Sequence, residues 1–158
     1  MEQNQKAPEG KAVTTRTTFS RETSVHNTIS AEAGIVWALL VNASDFPRWN
    51  STVLSIQGEI RKGETIHLRS TLDEKRTFKL KIKEFEPEKR LVWGDAQGNR
   101  VYSLTKGATG KVHFSMAEKI GGPVFPLFAG MIPPFDAAFE KFAADLKKEA
   151  ETIQRSGN

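Results

Sequence analysis

The sequence has no cysteine. That excludes a disulfide framework, a thiolate zinc site, an iron–sulfur cluster and a cysteine nucleophile together, and leaves oxygen, nitrogen or shape to carry any chemistry. No run approaches about 18 consecutive apolar residues, so no membrane span is expected. The opening residues, MEQNQKAPEGKAVTTRTT, lack the apolar stretch of a secretory signal, and with the missing cysteine they point to the cytoplasm. Neither charge dominates: 23 Lys and Arg against 19 Asp and Glu leave +4, and most basic residues have acidic neighbours. No nucleic-acid partner is expected from that balance. Lys79, Lys81 and Lys83 do form a basic row, but the apolar and aromatic residues alternate to the other face, so the stacking platform of a single-strand binder is missing.

Motifs of hydrolysis are missing as well: there is no G-x-S-x-G elbow and no Asp-His-Ser arrangement. Gly107-Ala108-Thr109-Gly110-Lys111 fails as a phosphate loop, because Thr105 stands where the first glycine is needed and Val112 follows the lysine. It reads as a hairpin turn. His26, His67 and His113 each alternate out of phase with their apolar neighbours and so face solvent, and neither a metal site nor a cofactor is expected.

What is present is a chain of 158 residues, 38% hydrophobic and 27% charged, long enough to bury the core of one domain without a staple. Residues 1–18 have almost nothing to bury and cannot offset their ordering entropy, so they read as a mobile tail ahead of a single domain over 19–155. Residues 19–29 are strand-like, with Val25 and Ile29 sharing a parity. Ser30 then stands as an N-cap before Ile35, Val36, Leu39 and Leu40 at helical spacing, and a second helical turn ends near Trp49. From Thr52 to Ile120 one strand follows another, six in all, with a parity break between Ile82 and Phe85 that predicts a β-bulge and a curved sheet. Gly98 is expected to supply a positive φ in the turn at 95–99. Residues 124–132 are apolar all round and must be buried or border a cavity. After Pro133-Pro134, the residues Phe135, Ala138, Phe139, Phe142, Leu146, Ala150 and Ile153 make one face of a long helix.

The order of motifs carries a resemblance. Val36-Trp37-Ala38-Leu39-Leu40, then Asp45-Phe46-Pro47-Arg48-Trp49-Asn50, then Gly58-Glu59-Ile60-Arg61-Lys62-Gly63-Glu64, then Phe85-Glu86-Pro87-Glu88-Lys89-Arg90-Leu91-Val92-Trp93, resembles the SRPBCC or START-like (Bet v 1-like) superfamily, in its polyketide cyclase/dehydrase branch. The resemblance covers about residues 19–153. It implies an α+β helix-grip fold: a curved seven-stranded antiparallel sheet wrapped around a long C-terminal helix, two short helices between the first two strands, and a hydrophobic cavity between sheet and helix. It departs from the pattern at 95–102, which is short and lacks the aromatic-plus-basic segment expected there.

Within that frame the candidate ligand-binding residues are Trp49 and Trp93; Leu68, Leu80, Phe114 and Met116 on the sheet; and Phe125, Phe128, Met131, Ile132, Phe135 and Phe139 opposite. Ser70 and Ser103 share a parity with apolar neighbours and would add polar groups. Glu118 continues the row Val112, Phe114, Met116 and is a candidate anchor or general acid/base at the cavity mouth. Tyr102 lies on the opposite parity from Val101 and Ser103, and its role is open. The leading expectation is binding of a small hydrophobic ligand (lipid, polyketide or aromatic-like) by a monomer or weak homodimer. The alternatives are a polyketide cyclase or dehydratase using the same cavity, and a protein-interaction module with a filled core and an exposed apolar patch.

Overall fold

In the computed structural model, which describes residues 7–157, the alternation of the middle of the chain becomes one antiparallel sheet. The elements are β1 (Val13–Arg16), β2 (Ser20–Ile29), α1 (Ala33–Val41), α2 (Phe46–Trp49), β3 (Val53–Gln57), β4 (Thr65–Ser70), β5 (Asp73–Glu86), β6 (Arg90–Gly94), β7 (Gly98–Lys106), β8 (Val112–Gly121), α3 (Phe125–Phe128) and α4 (Asp136–Ser156). Strand order is β1-β2-β8-β7-β6-β5-β4-β3, so the sheet is open, with β1 and β3 at its edges. Register shifts between Ile82 and Glu84, Leu68 and Ser70, and Val53 and Ser55 bend it, the first at the predicted bulge. The helix-grip architecture is therefore present, with eight strands among the described residues in place of seven.

The extra strand comes from the segment expected to be a tail. Residues 13–16 pair with β2 from Val13↔Ser24 to Arg16↔Arg21. Side-chain hydrogen bonds supply what apolar burial does not: the Thr14 hydroxyl donates to Asp136 Oδ1 at 2.7 Å and the Ala12 N–H to Glu140 Oε2 at 2.9 Å. Edge pairing plus two carboxylates on the first turns of α4 offset the ordering cost that composition alone could not. Residues 1–6 of the expected tail lie outside the described residues.

Ser30 is not the N-cap of α1. That place falls to Glu32, without a side-chain cap, because the connection is held from α4: Ser30 N–H donates to Glu151 Oε2 and Glu32 N–H to Gln154 Oε1, both at 3.0 Å. The buried face of α4 is Phe139, Phe142, Ala143, Leu146 and Ala150, which packs on β2 and α1. A buried polar link fixes its axial position, where Asn27 Nδ2 on β2 donates to the Ala143 carbonyl at 3.0 Å. Trp37 packs edge-on to Phe85 at 5.2 Å and belongs to the core.

Candidate functional site

Inward-facing aromatics decide where the space between the layers is filled. Phe142 of α4 meets Tyr102 at 5.6 Å, Phe114 at 6.4 Å, Phe46 at 6.1 Å and Trp49 at 6.0 Å between ring centroids. Rings from both layers occupy the space there. Beyond the first turn of α4 the chain has been turned aside at Pro133-Pro134, and a cavity of about 440 Å³ opens between the sheet and residues 128–135. That size lies within the range of about 300–1,000 Å³ typical of small-molecule sites. The cavity thus sits at the leading end of the C-terminal helix and not under its length, as the resemblance implied.

Its sheet side is Leu68, Ser70, Leu72, Asp73, Arg76, Phe78, Leu80, Trp93, Gly94, Asp95, Gln97, Gly98, Arg100, Glu118 and Ile120; its other wall is Phe128, Met131, Ile132, Pro133 and Phe135. Gly94 and Gly98 keep the floor low. A Cβ on Gly94 would lie 2.3 Å from the Gly98 carbonyl oxygen, and one on Gly98 would lie 2.5 Å from that of Lys119. Gly98 is thus required by close approach, whereas the positive φ expected of it is not found.

Eight of the fourteen candidate ligand-binding residues line this cavity, Leu68, Ser70, Leu80, Trp93, Phe128, Met131, Ile132 and Phe135, and so does Glu118. Six do not. Trp49, Phe114 and Met116 are spent in the filled half, where Trp49 packs on Phe46 at 4.9 Å. Phe125 is buried and meets the Phe128 ring edge-on at 5.6 Å. Phe139 stacks on Phe135, behind the wall. Ser103 points to the outer face, because β7 turns Arg100, Tyr102 and Leu104 inward. Ser70 has a local role as well, its Oγ accepting the Leu72 N–H at 3.2 Å. Of the apolar run 124–132, Val124 and Leu127 neither bury nor line the cavity; Leu127 is 85% exposed.

The inversion of β7 brings in two residues that parity reasoning missed. Arg100 Nε donates to Glu118 Oε1 at 2.8 Å, with the two side chains only 13% and 19% exposed. β8 keeps its register through Glu118, so the carboxylate does reach the cavity, as an ion-pair partner and not as a lone acid. The Arg100 guanidinium also lies 4.9 Å from the Phe139 ring centroid. Burial works against its charge, but the Glu118 carboxylate beside it, helped by Tyr102, outweighs that and holds its pKa above the ordinary value. Tyr102, fully buried against Trp93, has a hydroxyl with no aligned hydrogen bond among the described residues. Burial pushes its pKa up to about 12, against the downward pull of Arg100. Arg100 and Tyr102 both lie in the short stretch 95–102. The signal for them was Leu104, whose parity they share.

A second arginine fixes the opposite wall. Arg21 on β2 donates from Nη1 to the Ile132 carbonyl at 3.2 Å and from Nη2 to the Pro133 carbonyl at 2.8 Å, while lying 4.7 Å from the Phe135 ring centroid. Proline 134 cannot donate back to the sheet, so this clamp replaces a ladder at the wall's hinge.

The chain's residues 17–151 match the family described as polyketide cyclase / dehydrase and lipid transport. The chain belongs to that family. Among solved structures it is similar to a conserved protein of unknown function from Enterococcus faecalis, at 16% identity and TM-score 0.66 over 90% of this chain and 78% of that one. It is similar also to a START superfamily protein from Mycobacterium smegmatis, at 12% identity and TM-score 0.63 over 84% and 98%. The di-domain ARO/CYC StfQ from the steffimycin biosynthetic pathway matches at 12% identity and TM-score 0.62, over 84% of this chain and 45% of that one. At these identities the likeness is one of fold. No curated protein matches the chain. Among the described residues no helix is long and apolar enough to cross a membrane.

Proposed function

We propose that the protein binds a small hydrophobic molecule, lipid, polyketide or aromatic-like, in the cavity between the sheet and residues 128–135. The observation that carries this reading is the cavity of about 440 Å³, lined mainly by apolar side chains, with the Arg100–Glu118 ion pair and the polar Asp73, Arg76, Asp95 and Gln97 also in its lining. Affinity would come from apolar ligand surface removed from water, at about 25 cal/mol per Å², while Arg100 and Glu118 fix the orientation of a polar end. The test is titration with 1-anilinonaphthalene-8-sulfonate followed by displacement with lauric acid and a flavone. One saturable site, lost in Leu80→Trp and kept in the exposed-surface variant Leu127→Ser, supports the reading. Absence of saturable binding, or binding that survives Leu80→Trp unchanged, overturns it.

A second reading is favoured by one specific observation, the 2.8 Å contact between two inward polar groups with the Tyr102 hydroxyl close by. In this reading the cavity folds a polyketide-like substrate into a reactive conformer and the Arg100–Glu118 pair handles the proton of a cyclisation or dehydration. Glu118→Gln would then abolish turnover of a poly-β-keto substrate while leaving fluorophore binding intact.

A further inference from the structure

The outer face of β2 and β8 carries a second set of groups with chemistry of their own. Inward positions on these strands go to Val25, Asn27, Phe114 and Met116, which leaves His26 and His113 on the other face. His26 is opposite Ser115 and His113 opposite Thr28, a diagonal pair across the ladder, with ring centroids 5.2 Å apart and planes at 46°. Both are half-covered; the solvent-facing position expected of all three histidines holds only for His67. The segment before β1 lies along this face, its Gly10 N–H donating to the His26 carbonyl at 2.8 Å, and it delivers Glu9. Thr28 hydrogen-bonds the Glu9 carboxylate and draws its pKa below the ordinary value. One donor atom each from Glu9, His26 and His113 lie within 4.8 Å of one another.

The tautomer of His26 gives this cluster a direction. Its Nε2 is 2.7 Å from the Ala7 carbonyl oxygen. A carbonyl only accepts, so Nε2 carries the hydrogen and the lone pair of the neutral ring falls on Nδ1. Nδ1 is shut off from water and has no hydrogen-bond partner among the described residues. A ring that donates one N–H to a backbone carbonyl and offers a lone pair from the other nitrogen is oriented as metal-ligating histidines are. Two imidazoles and a carboxylate are a donor set that zinc accepts, with water in the fourth position. Zinc bonds of about 2.0–2.1 Å in a tetrahedron set donors roughly 3.4 Å apart, so donors that lie within 4.8 Å of one another must close by up to about 1.4 Å. The exposed Glu9 side chain can supply much of that movement by rotation.

We propose that Glu9, His26 and His113 bind a divalent transition-metal ion of the zinc class, which clips residues 7–10 onto the outer face of the sheet. The site lies on the opposite face from the cavity and stands or falls independently of it.

The test uses the full-length chain without an affinity tag, with Zn²⁺ followed by calorimetry and Co²⁺ by its visible absorption. The expected result is one ion per chain, a four-coordinate Co²⁺ spectrum, and slower tryptic cleavage after the exposed Lys11 when Zn²⁺ is present. Glu9→Gln, at an exposed position, should weaken Zn²⁺ binding by roughly 10–100-fold, and His113→Gln by at least as much. His67→Gln should bind as the parent does. Absence of stoichiometric uptake overturns the proposal, and so does parental affinity in Glu9→Gln or in a folded His113→Gln. If His113→Gln does not fold, Glu9→Gln decides alone.

Discussion

Under the middle of α4 aromatic side chains from both layers converge; one turn beyond its leading end the layers stand apart. Both halves are built on the same strands, β6, β7 and β8, and on the same inward parity. What differs is side-chain volume and the course of the covering chain. Phe114, Tyr102, Phe46 and Trp49 converge on Phe142 in one half. In the other, Ser70, Gly94 and Gly98 leave volume unclaimed, and Pro133-Pro134 carries the cover away from the sheet. A binding site here is a matter of where the aromatics stop.

The largest contrast should appear on truncation. Phe142→Ala should cost about 3–5 kcal/mol, because neighbours on four sides cannot collapse into the void, and Leu80→Ala at the cavity wall should cost far less. Urea unfolding of both checks this, and equal losses would break the distinction. Enlargement should reverse the test. Phe114→Trp should destabilise by about 1–3 kcal/mol through overpacking, while Leu80→Phe, growing into open space, should stay within about 0.5 kcal/mol of the parent. Removing one member of the half-buried pair should fall between. Glu118→Gln leaves Arg100 without its counter-charge and should cost about 2 kcal/mol in the same unfolding assay.

Two titrations sharpen the picture at lower amplitude. Tyr102 is the only tyrosine, so ultraviolet difference absorption reads it without interference. Its pKa, raised from 10.0 to about 12, means that the unfolded chain ionises first. Stability should therefore be unaffected below pH 10 and fall between 10 and 12, and Tyr102→Phe should remove that component. Glu151 has the opposite sign. Burial raises its pKa, but the hydrogen bonds from Lys147 Nζ and Ser30 N–H prevail and leave it below the ordinary 4.5. Its contribution is present above that value and is lost as pH falls through the lowered pKa. Glu151→Gln should cost less than about 1 kcal/mol at pH 7, with the gap to the parent closing in acid.

Periodicity made most of the architecture legible, because a sheet wet on one face and a helix with an aromatic stripe both print their period in the sequence. The bulge after Ile82 and the helix carrying Phe139 and Phe142 are examples. β1 was illegible for a physical reason: a threonine-rich edge strand buries little and is held by Asp136 and Glu140, over a hundred residues away. Parity was also insufficient on β7, where Val101 and Leu104 argue for opposite faces and only the tertiary structure decides for Leu104. Above all, parity gives the face of a strand but not the position along it. Phe114, Met116 and Glu118 share one face of β8, and only the last reaches the cavity.

The strand order β1-β2-β8 has a consequence in time. β2 leaves the ribosome well before its partner β8 and its covering helix α4, with Ser20 paired to Gly121 and Asn27 bonded to Ala143. Such sequence-distant pairing makes folding slow, since the closure entropy of a loop of some ninety residues comes before the contacts that reward it. The meander from β3 to β8 can zip from its hairpins as it emerges. The β1–β2 arm has to wait with its apolar row uncovered, and that interval is when the chain is most exposed to misassociation.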